Sequence, residues 1–503
     1  MVLNVVGMLL GFVREQVIAA RFGTTMLTDS YVMAFTLPNL IFIIIGGALA
    51  TAFIPVFTDI SLHKSRQDAA RMSSTIINLT LVTMVLLAIP GIVLAPYLVS
   101  AIAPGFTGET RDLTILLTRI MFPCIIFMST SLLLGGILNA LKHFSAPALY
   151  PAIFSSVIIV SVYLLSPAYG VVGLAVGTLL AAVVQMLFAV PFLRRQRIPY
   201  HLEIKPSLPG VKQVFNLMLP AMLGTSINQL SIFIDRFLAS GLVEGSIAAL
   251  NFASRLMMLP YNLFVNAITT AVFPSLSEMA AREDYAEMGR TTVFGLNLIL
   301  FFTIPAAVGL FILSEPVVRL LFEHGVFDAR STQMTVFALR FYMLAMVSQG
   351  AYTVMNRTFF AMQDTKTPVK ISMVDVAVNL TMSLLLIGTL QHGGLALGTS
   401  IGTTVNMVLV YIFLRRRIQT LPEKRLALTL GKIILASAIM GAGVYFFALE
   451  LGMMLDLSRL YNQLIHVISS VVFGIVLYAL AIIPMKIEEV DYVRTRIRER
   501  IGG

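Results

Sequence analysis

The sequence predicts an all-α polytopic membrane protein with fourteen transmembrane helices: two pseudo-symmetric six-helix lobes and two C-terminal helices. Composition is the first indication, because the 503 residues are 58% hydrophobic and 12% charged, with a mean hydropathy of +0.90. Soluble domains have a charged fraction of about 25%. The second indication is the length of the apolar blocks, because about 20 apolar residues suffice to cross a bilayer as a helix. The third is an internal repeat.

The fourteen predicted spans are the apolar blocks between polar breaks. Prolines inside several of them predict kinks or breaks, namely Pro38, Pro90, Pro123, Pro260 and Pro305. Membrane helices tolerate these prolines where neighbouring groups satisfy the freed carbonyls. The spans are, in order, 2–20, 29–58, 74–101, 112–140, 147–166, 170–193, 212–240, 246–276, 289–314, 334–361, 366–388, 393–414, 428–449 and 461–484.

Basic residues are concentrated in the loops that follow even-numbered spans and in the C-terminal tail. Clusters such as Arg194–Arg195 and Arg415–Arg417 lie on that side. The positive-inside rule therefore places both termini in the cytoplasm. This topology also explains the net charge of +10, so no nucleic-acid partner is predicted. The opposite loops hold only Arg21, Arg111, Arg319, Arg330 and Arg459.

The chain repeats itself at a spacing of about 221 residues. GLAVGTLLAAVVQMLFAVPFLRR at 173–195 aligns without gaps on GLALGTSIGTTVNMVLVYIFLRR at 394–416, with 11 identities in 23 positions. The copies predict an N-terminal lobe over 1–197 and a C-terminal lobe over 212–417, both entering the membrane in the same direction. Two parallel halves with a site between them are typical of transporters; the alternative is a duplicated scaffold. The helix pair at 428–484 and a basic cytoplasmic tail at 485–503 lie outside the repeat.

Charged residues inside the predicted spans indicate a transport site. A charge at a helix centre costs at least about 2.5–3.5 kcal/mol, so it usually faces a wet cavity or a partner. The first spans of the two copies carry FVRE (12–15) and FIDR (233–236) at matching positions. Arg14 and Arg255 offer planar donor forks that suit phosphate or carboxylate, which predicts an anionic solute.

Several other charges have simpler explanations. Asp29 and Arg357 lie near predicted helix ends, where capping or snorkelling explains them as well as a functional role does. Arg119 and Arg340 are equivalent in the repeat, and a structural contact between helices is the favoured interpretation.

Oxygen-bearing side chains in the C-terminal half suggest a cation site. Asp375 and Asn379 are four residues apart and share a helix face. With Asp235 and Thr399 they form a candidate site for Na⁺, which prefers oxygen ligands. The alternative is a polar hydrogen-bond cluster without an ion.

Motifs of the GxxxG type predict close helix packing rather than a phosphate-binding loop. They occur at 7–11, 173–177, 394–398 and 398–402. The sequence shows neither a nucleophile–base arrangement nor a nucleotide fingerprint. It therefore predicts a protein that is not an enzyme and holds no cofactor besides a coupling Na⁺.

Four segments carry a family resemblance: GFVREQVIAARFG, TDSYVMAFTLPNL, ASGLVEGSIAALNFASRLMMLP and AVFPSLSEMA. They resemble the MurJ (MviN) lipid II flippases, members of the multidrug/oligosaccharidyl-lipid/polysaccharide exporter (MOP) superfamily. The resemblance implies export of lipid II, the undecaprenyl-diphosphate-linked peptidoglycan precursor, from the inner to the outer leaflet of the bacterial cytoplasmic membrane by alternating access. Membrane lipid and cell-wall synthesis proteins are the further partners it suggests.

The resemblance also suggests roles for individual residues. It implies that Arg14, Asp29 and Arg255 line a substrate cavity between the lobes and that Glu15 fills an acidic family position. Family members usually carry a further arginine where this chain has Met8. Helices 13 and 14 are expected to form a groove for the prenyl tail. The positions that the resemblance associates with Na⁺ in some members are Asp235, Asp375, Asn379 and Thr399.

Two other functions stay open at this point. One is export of a different lipid-linked oligosaccharide, which the sequence distinguishes poorly from lipid II export. The other is cation-coupled multidrug export, which predicts a cavity richer in acidic residues and no need for the last two helices.

Overall fold

A computed structural model of the protein describes residues 2–196 and 199–489, and every regular element within these ranges is helical. The predicted basic tail lies outside the described residues from 490 onward. A π-helical turn, Phe42–Gly46, joins α2 to α3, and a 3-10 turn, Ile483–Met485, follows α17. The helices are α1 (Val2–Phe22), α2 (Met26–Ile41), α3 (Gly47–His63), α4 (Arg66–Val93), α5 (Ala95–Ile102), α6 (Gly108–Met121), α7 (Cys124–Ala140), α8 (Ser145–Leu164), α9 (Ser166–Arg195), α10 (Pro209–Ala239), α11 (Ser246–Ala281), α12 (Tyr285–Ile312), α13 (Ser314–Phe322), α14 (Ala329–Ala361), α15 (Lys366–Arg417), α16 (Glu423–Met454) and α17 (Leu460–Ile482).

Long apolar helices dominate the fold. Within the described residues, ten helical stretches are long and apolar enough to cross a membrane, and the bent helix α10 brings the number to eleven. Large apolar side chains such as Leu86, Leu385 and Ile475 are exposed on them. Outward-facing apolar surface of this extent suits lipid rather than water as the surrounding solvent. The prediction of an all-α polytopic membrane protein is therefore confirmed.

The helices form two compact units. The first comprises Met1–Ala248 with Gly325–Phe327, and the second comprises Ala249–His324 with Asp328–Gly503. A buried cluster around Phe53 and Leu133 holds α3 and α7 together in the first unit. In the second unit, a cluster that includes Met355 and Met440 joins α12, α14, α15 and α16. The predicted division into lobes rests on the repeat rather than on packing, and it stays a prediction.

The same backbone irregularities recur at the repeat spacing. Gly170 in α9 (φ 56°, ψ −137°) and Gln391 in α15 (φ 51°, ψ −132°) each interrupt a helix, and they are 221 residues apart. Lys142 (φ 62°) and Gln363 (φ 60°) are separated by the same interval, and each follows the end of a helix. Left-handed conformations are uncommon for residues other than glycine. Their recurrence in register indicates that the two copies fold alike locally.

Glycines of the GxxxG motifs lie where helices touch, as predicted. A Cβ added at Gly177 would come 2.3 Å from the Cβ of Ser161 in α8. At the matching position of the repeat, a Cβ on Gly398 would come 2.4 Å from the Oγ of Ser383. Small residues at such positions let helix backbones approach closely. The chain therefore turns back on itself tightly after each of the breaks at Gly170 and Gln391.

Prolines act in two ways. Pro123 separates α6 from α7, so the predicted break is confirmed there. Pro260 and Pro305 lie inside continuous helices. The predicted span 74–101 is divided at Leu94, where the short helix α5 begins with Pro96 in its first turn. Pro96 has no backbone N–H to continue α4, which favours a new helix at that point.

Candidate substrate and cation sites

The opening charge pair is an ion pair within α1. Arg14 Nη2 donates to Glu15 Oε1 at 2.6 Å, and the two side chains are 17% and 7% exposed. Mutual neutralisation explains how an apolar helix accommodates both charges. A guanidinium carries five N–H donors, so the bond to Glu15 does not exhaust those of Arg14. The ion pair can keep the Arg14 guanidinium available to an anion. It also limits the free-energy cost of placing that charge in the membrane.

Asp29 lies in the first turn of α2 and is 4% exposed. Its Oδ2 accepts from the backbone N–H of Gly245 at 2.7 Å, and its Oδ1 accepts from that of Ala248 at 2.7 Å. These N–H groups belong to the start of α11, where helical donors lack partners within the helix. Asp29 therefore acts as a cap, but for the start of α11 rather than for α2, the helix to which it belongs. A contact between Asp29 and substrate stays a prediction.

The start of α2 is held in the same way. The backbone N–H of Met26 donates to Glu244 Oε1 at 2.8 Å. Glu244 precedes α11, and Asp29 belongs to α2, so each helix start uses a carboxylate supplied by the other. Carboxylates near helix N-termini also interact favourably with the helix dipole. The segment LVEGSI, part of the family resemblance, therefore has a structural role in the first compact unit.

The second copy carries the matched charge pair in α10. Asp235 and Arg236 lie in α10 and are both half-buried. Arg236 Nη1 donates to the backbone carbonyl of Ile247 at 3.1 Å. This contact ties α10 to the first turn of α11.

Arg255 is an exposed residue of α11. It belongs to the second compact unit, whereas Arg14 belongs to the first. The prediction that both arginines line one substrate cavity therefore stays a prediction.

The structure brings two of the predicted cation ligands to one place in α15. Asp375 is half-buried and Asn379 is 1% exposed. A Cβ on Gly402 would come 2.6 Å from Asp375 Oδ1 and 3.2 Å from Asn379 Cβ, so both residues face the part of α15 beyond the break. The Thr399 hydroxyl donates to the carbonyl of Leu395 in its own helix at 3.0 Å. Asp235 belongs to the other compact unit.

Asn406 is a member of this cluster that sequence reasoning missed. Its Nδ2 donates to Asp375 Oδ2 at 3.2 Å, and Ser383 donates to Asn379 Oδ1 at 3.0 Å. Asn406 lies seven residues, two helical turns, after Thr399, so helical periodicity could have indicated it. Among the described residues, no group of three His, Cys, Asp or Glu side chains is placed to hold a metal ion. The cluster forms a polar hydrogen-bond network, and Na⁺ binding there stays a prediction.

Arg119 and Arg340, for which the sequence favoured a structural contact between helices, make such contacts. Arg119 Nε donates to the carbonyl of Ile92 at 3.3 Å, and Arg340 Nε donates to Ser314 Oγ at 3.1 Å. The Arg340 guanidinium also lies 5.8 Å from the ring centroid of Phe311. Arg119 thus connects α6 to α4, and Arg340 connects α14 to α13 and α12.

Comparison with known proteins identifies the family. The family described as "Lipid II flippase MurJ" matches residues 18–459. The probable lipid II flippase MurJ of Rickettsia prowazekii (strain Madrid E) is 31% identical over 442 residues, 87% of each chain. The lipid II flippase MurJ of Burkholderia cenocepacia is 32% identical over 419 residues, 81% of each chain. The chain belongs to the lipid II flippase MurJ family.

Solved structures agree with this membership. One titled "Lipid II flippase MurJ, inward closed conformation" superposes with a TM-score of 0.81 at 27% identity, covering 95% of this chain and 97% of that one. An inward-facing multidrug resistance MATE transporter of the MOP superfamily superposes with a TM-score of 0.72 at 17% identity, covering 84% and 99%. The second similarity concerns the fold alone.

Membership in the MurJ family confirms the coarser predictions. The apolar helices and the family together indicate a multi-pass protein of the bacterial inner membrane. The family is one of transporters rather than of catalytic enzymes.

Proposed function

We propose that the protein moves lipid II from the inner to the outer leaflet of the cytoplasmic membrane by alternating access. The observation that carries this proposal is the match of the lipid II flippase MurJ family to residues 18–459. The buried Arg14–Glu15 ion pair supports it, because it keeps a permanent cation within an apolar helix. Lipid II has an anionic diphosphate, which a guanidinium fork can bind through two parallel hydrogen bonds.

The proposed headgroup contacts come from Arg14 and Arg255, which pair with the diphosphate. Glu15 orients the Arg14 guanidinium through the 2.6 Å hydrogen bond between them. In the absence of substrate, Glu15 also limits the free-energy cost of the Arg14 charge in the membrane. Asp29 contributes by fixing the start of α11, the helix that carries Arg255. The prenyl tail lies along α16 and α17, the two helices that follow the repeat.

The proposed topology has fourteen spans. The 52 residues of α15 form a helix of about 78 Å if continuous, more than twice the hydrocarbon thickness of about 30 Å. The break at Gln391 divides it into two spans. The 21 residues of α1 and the 33 of α14 are also long enough to cross. With the eleven apolar stretches these complete fourteen, arranged as two six-helix lobes and a C-terminal pair with both termini in the cytoplasm.

Energy for resetting the transporter is proposed to come from Na⁺ at the cluster of Asp375, Asn379 and Thr399, with Asp235 as a further ligand. Support comes from the placement of Asp375 and Asn379 beside Gly402, together with the side-chain amide of Asn406, which donates to Asp375. Membrane potential is the other available source, at about 2.3 kcal/mol per charge per 100 mV. A dependence of export on Na⁺ that Asp375→Asn abolishes is the result expected of the Na⁺ proposal.

Leaflet-resolved labelling of lipid II tests the function in cells depleted of their own flippase and complemented with this chain. The wild-type chain is expected to restore outer-leaflet lipid II, and Arg14→Ala and Arg255→Ala are expected to reduce it at least tenfold. Arg119→Gln is the matched control, because it removes an intramembrane arginine with a structural contact. Full export by both alanine variants would contradict the phosphate contacts, and lack of rescue by the wild-type chain would contradict the function.

A further inference from the structure

A cavity of about 290 Å³ lies at one end of the α16–α17 hairpin, within the second compact unit. Its walls come from α13, the last turns of α16 and the first turns of α17. The size is near the lower limit of about 300 Å³ for small-molecule sites, which fits a headgroup rather than a large solute. None of its residues belongs to the proposed headgroup or cation sites.

The cavity holds a cation and an anion side by side. Arg319 Nη2 donates to Glu315 Oε1 at 3.2 Å, and both residues line the cavity from α13. The two side chains are 34% and 54% exposed, so each retains an accessible face. Arg319 Nε also lies 3.5 Å from Oε2 of Glu323, which does not line the cavity. The guanidinium and the Glu315 carboxylate together suit a ligand that carries both charges.

The opposite wall supplies an acceptor that lacks a donor. Gln463 Nε2 donates to the carbonyl of Leu457 at 2.8 Å. Because a carbonyl only accepts, this bond fixes which end of the amide is nitrogen. Gln463 Oε1 is buried and has no hydrogen-bond partner in the structure. Buried acceptors are normally satisfied, so this oxygen is available to an N–H or O–H group that enters the cavity.

A histidine also lines the cavity. His466 is 4% exposed, and its Nε2 lies 2.8 Å from the carbonyl of Ala448, so Nε2 carries the proton. The other ring nitrogen, Nδ1, is then an acceptor in the neutral imidazole. The cavity lining thus includes a carboxylate, an amide, an imidazole and a guanidinium. Such a set matches a primary ammonium beside a phosphate.

The surroundings place the cavity where lipid headgroups lie. α16 and α17 are both long enough to cross a bilayer, and the cavity is at their shared end. Exposed apolar residues adjoin it, with Leu449 50%, Met453 74% and Met454 79% exposed. Tyr461 is 72% exposed at the same end, and tyrosines are enriched at the membrane–water boundary.

We propose that this cavity binds the headgroup of a membrane aminophospholipid of the phosphatidylethanolamine type. The lipid phosphate pairs with Arg319, and the ammonium donates to Glu315 and to Gln463 Oε1. The acyl chains lie along the exposed apolar surface of α16. Soluble ligands with the same charges lack the chains that this surface accommodates, so the lipid is the occupant that fits both parts of the site.

Native mass spectrometry of the full-length protein in detergent tests this site with lipids of identical acyl chains. Phosphatidylcholine is the informative comparison, because its quaternary ammonium has no N–H donors. Phosphatidylethanolamine is expected to bind about tenfold more tightly than phosphatidylcholine or phosphatidylglycerol, as loss of a charge-assisted hydrogen bond predicts. Equal binding of the three lipids would overturn the proposal, and so would equal competition by free phosphoethanolamine.

Variants assign the preference to this cavity. Arg319→Gln is expected to weaken binding of all three lipids about tenfold, and Gln463→Leu to remove most of the preference for ethanolamine over choline. Arg459→Gln is the matched control, because this 79% exposed arginine at the same helix end does not line the cavity. If Arg319→Gln does not fold, Glu315→Gln replaces it. This variant is expected to bind phosphatidylethanolamine with less preference over phosphatidylcholine than the wild-type protein does. A preference unchanged in the cavity variants would place the lipid elsewhere and refute the assignment.

Discussion

Removing the carboxylate of Asp29 tests whether this residue caps α11. Asp29→Ala leaves the backbone N–H groups of Gly245 and Ala248 without their acceptors, each now 2.7 Å from a carboxylate oxygen. An unsatisfied buried donor costs about 1–3 kcal/mol, so the pair costs about 2–6 kcal/mol. Asp29→Asn retains one acceptor oxygen and costs about half as much. The expected order of stability is wild type, then Asp29→Asn, then Asp29→Ala.

The single cysteine provides the assay. Cys124 is fully buried in the folded protein, so a thiol-reactive fluorophore reports unfolding as the temperature rises. Asp112→Asn is the matched control, because that carboxylate is 79% exposed and its ion pair is expected to contribute at most about 1 kcal/mol. If Asp29→Ala melts together with the control, the capping interpretation is wrong. Loss of lipid II export at unchanged stability would instead assign Asp29 to substrate binding.

Four further substitutions and one control test other parts of the structure, in the same thiol assay unless another is stated. Gln391→Gly is expected to stabilise the protein by about 1 kcal/mol and Gly170→Ala to destabilise it by about 1–3 kcal/mol, because both positions have positive φ. Stability changes of the opposite sign would show that the backbone at Gly170 and Gln391 is not strained. Gly402→Ala is expected to lower the stability of the protein by about 1–3 kcal/mol, because its Cβ would meet Asp375. Gly388→Ala is the control, and it should be neutral or stabilising because there is open space around Gly388. Equal effects of the two substitutions would contradict the close packing at Gly402. Asp328→Ala removes the N-cap of α14 and is expected to cost about 1 kcal/mol. The bond from the Ser331 N–H lowers the pKa of Asp328, so by circular dichroism this difference should be present above about pH 4 and disappear as the pH falls through the folded-state pKa. A difference that persists in acid would contradict the cap.

The helices were largely predictable from the sequence because the membrane requires long apolar blocks. The predicted span 461–484 corresponds to α17, and 147–166 corresponds to α8 with ends shifted by two residues. The short helices α5 and α13 were not predicted. Ala95–Ile102 continues the apolar stretch of α4, so composition alone conceals the break at Leu94.

The candidate sites were predictable only as residue types. The repeat drew attention to Arg14 and Glu15, and the structure adds that they pair with each other. Asp29 bonds to backbone N–H groups more than 200 residues away, and backbone donors leave no signal in residue type. Asn406 beside Asp375 was missed because its part in the cluster depends on how α15 folds back after Gln391.

Translocation of labelled lipid II in proteoliposomes tests the central proposal most directly. The purified chain is reconstituted with lipid II in both leaflets, and a membrane-impermeant reagent modifies the headgroups exposed outside. The account predicts that wild-type protein and the Arg119→Gln control bring the inner pool to the reagent, and that Arg14→Ala and Arg255→Ala slow this at least tenfold. An inner pool that stays protected with wild-type protein, as it does in empty liposomes, would contradict the account.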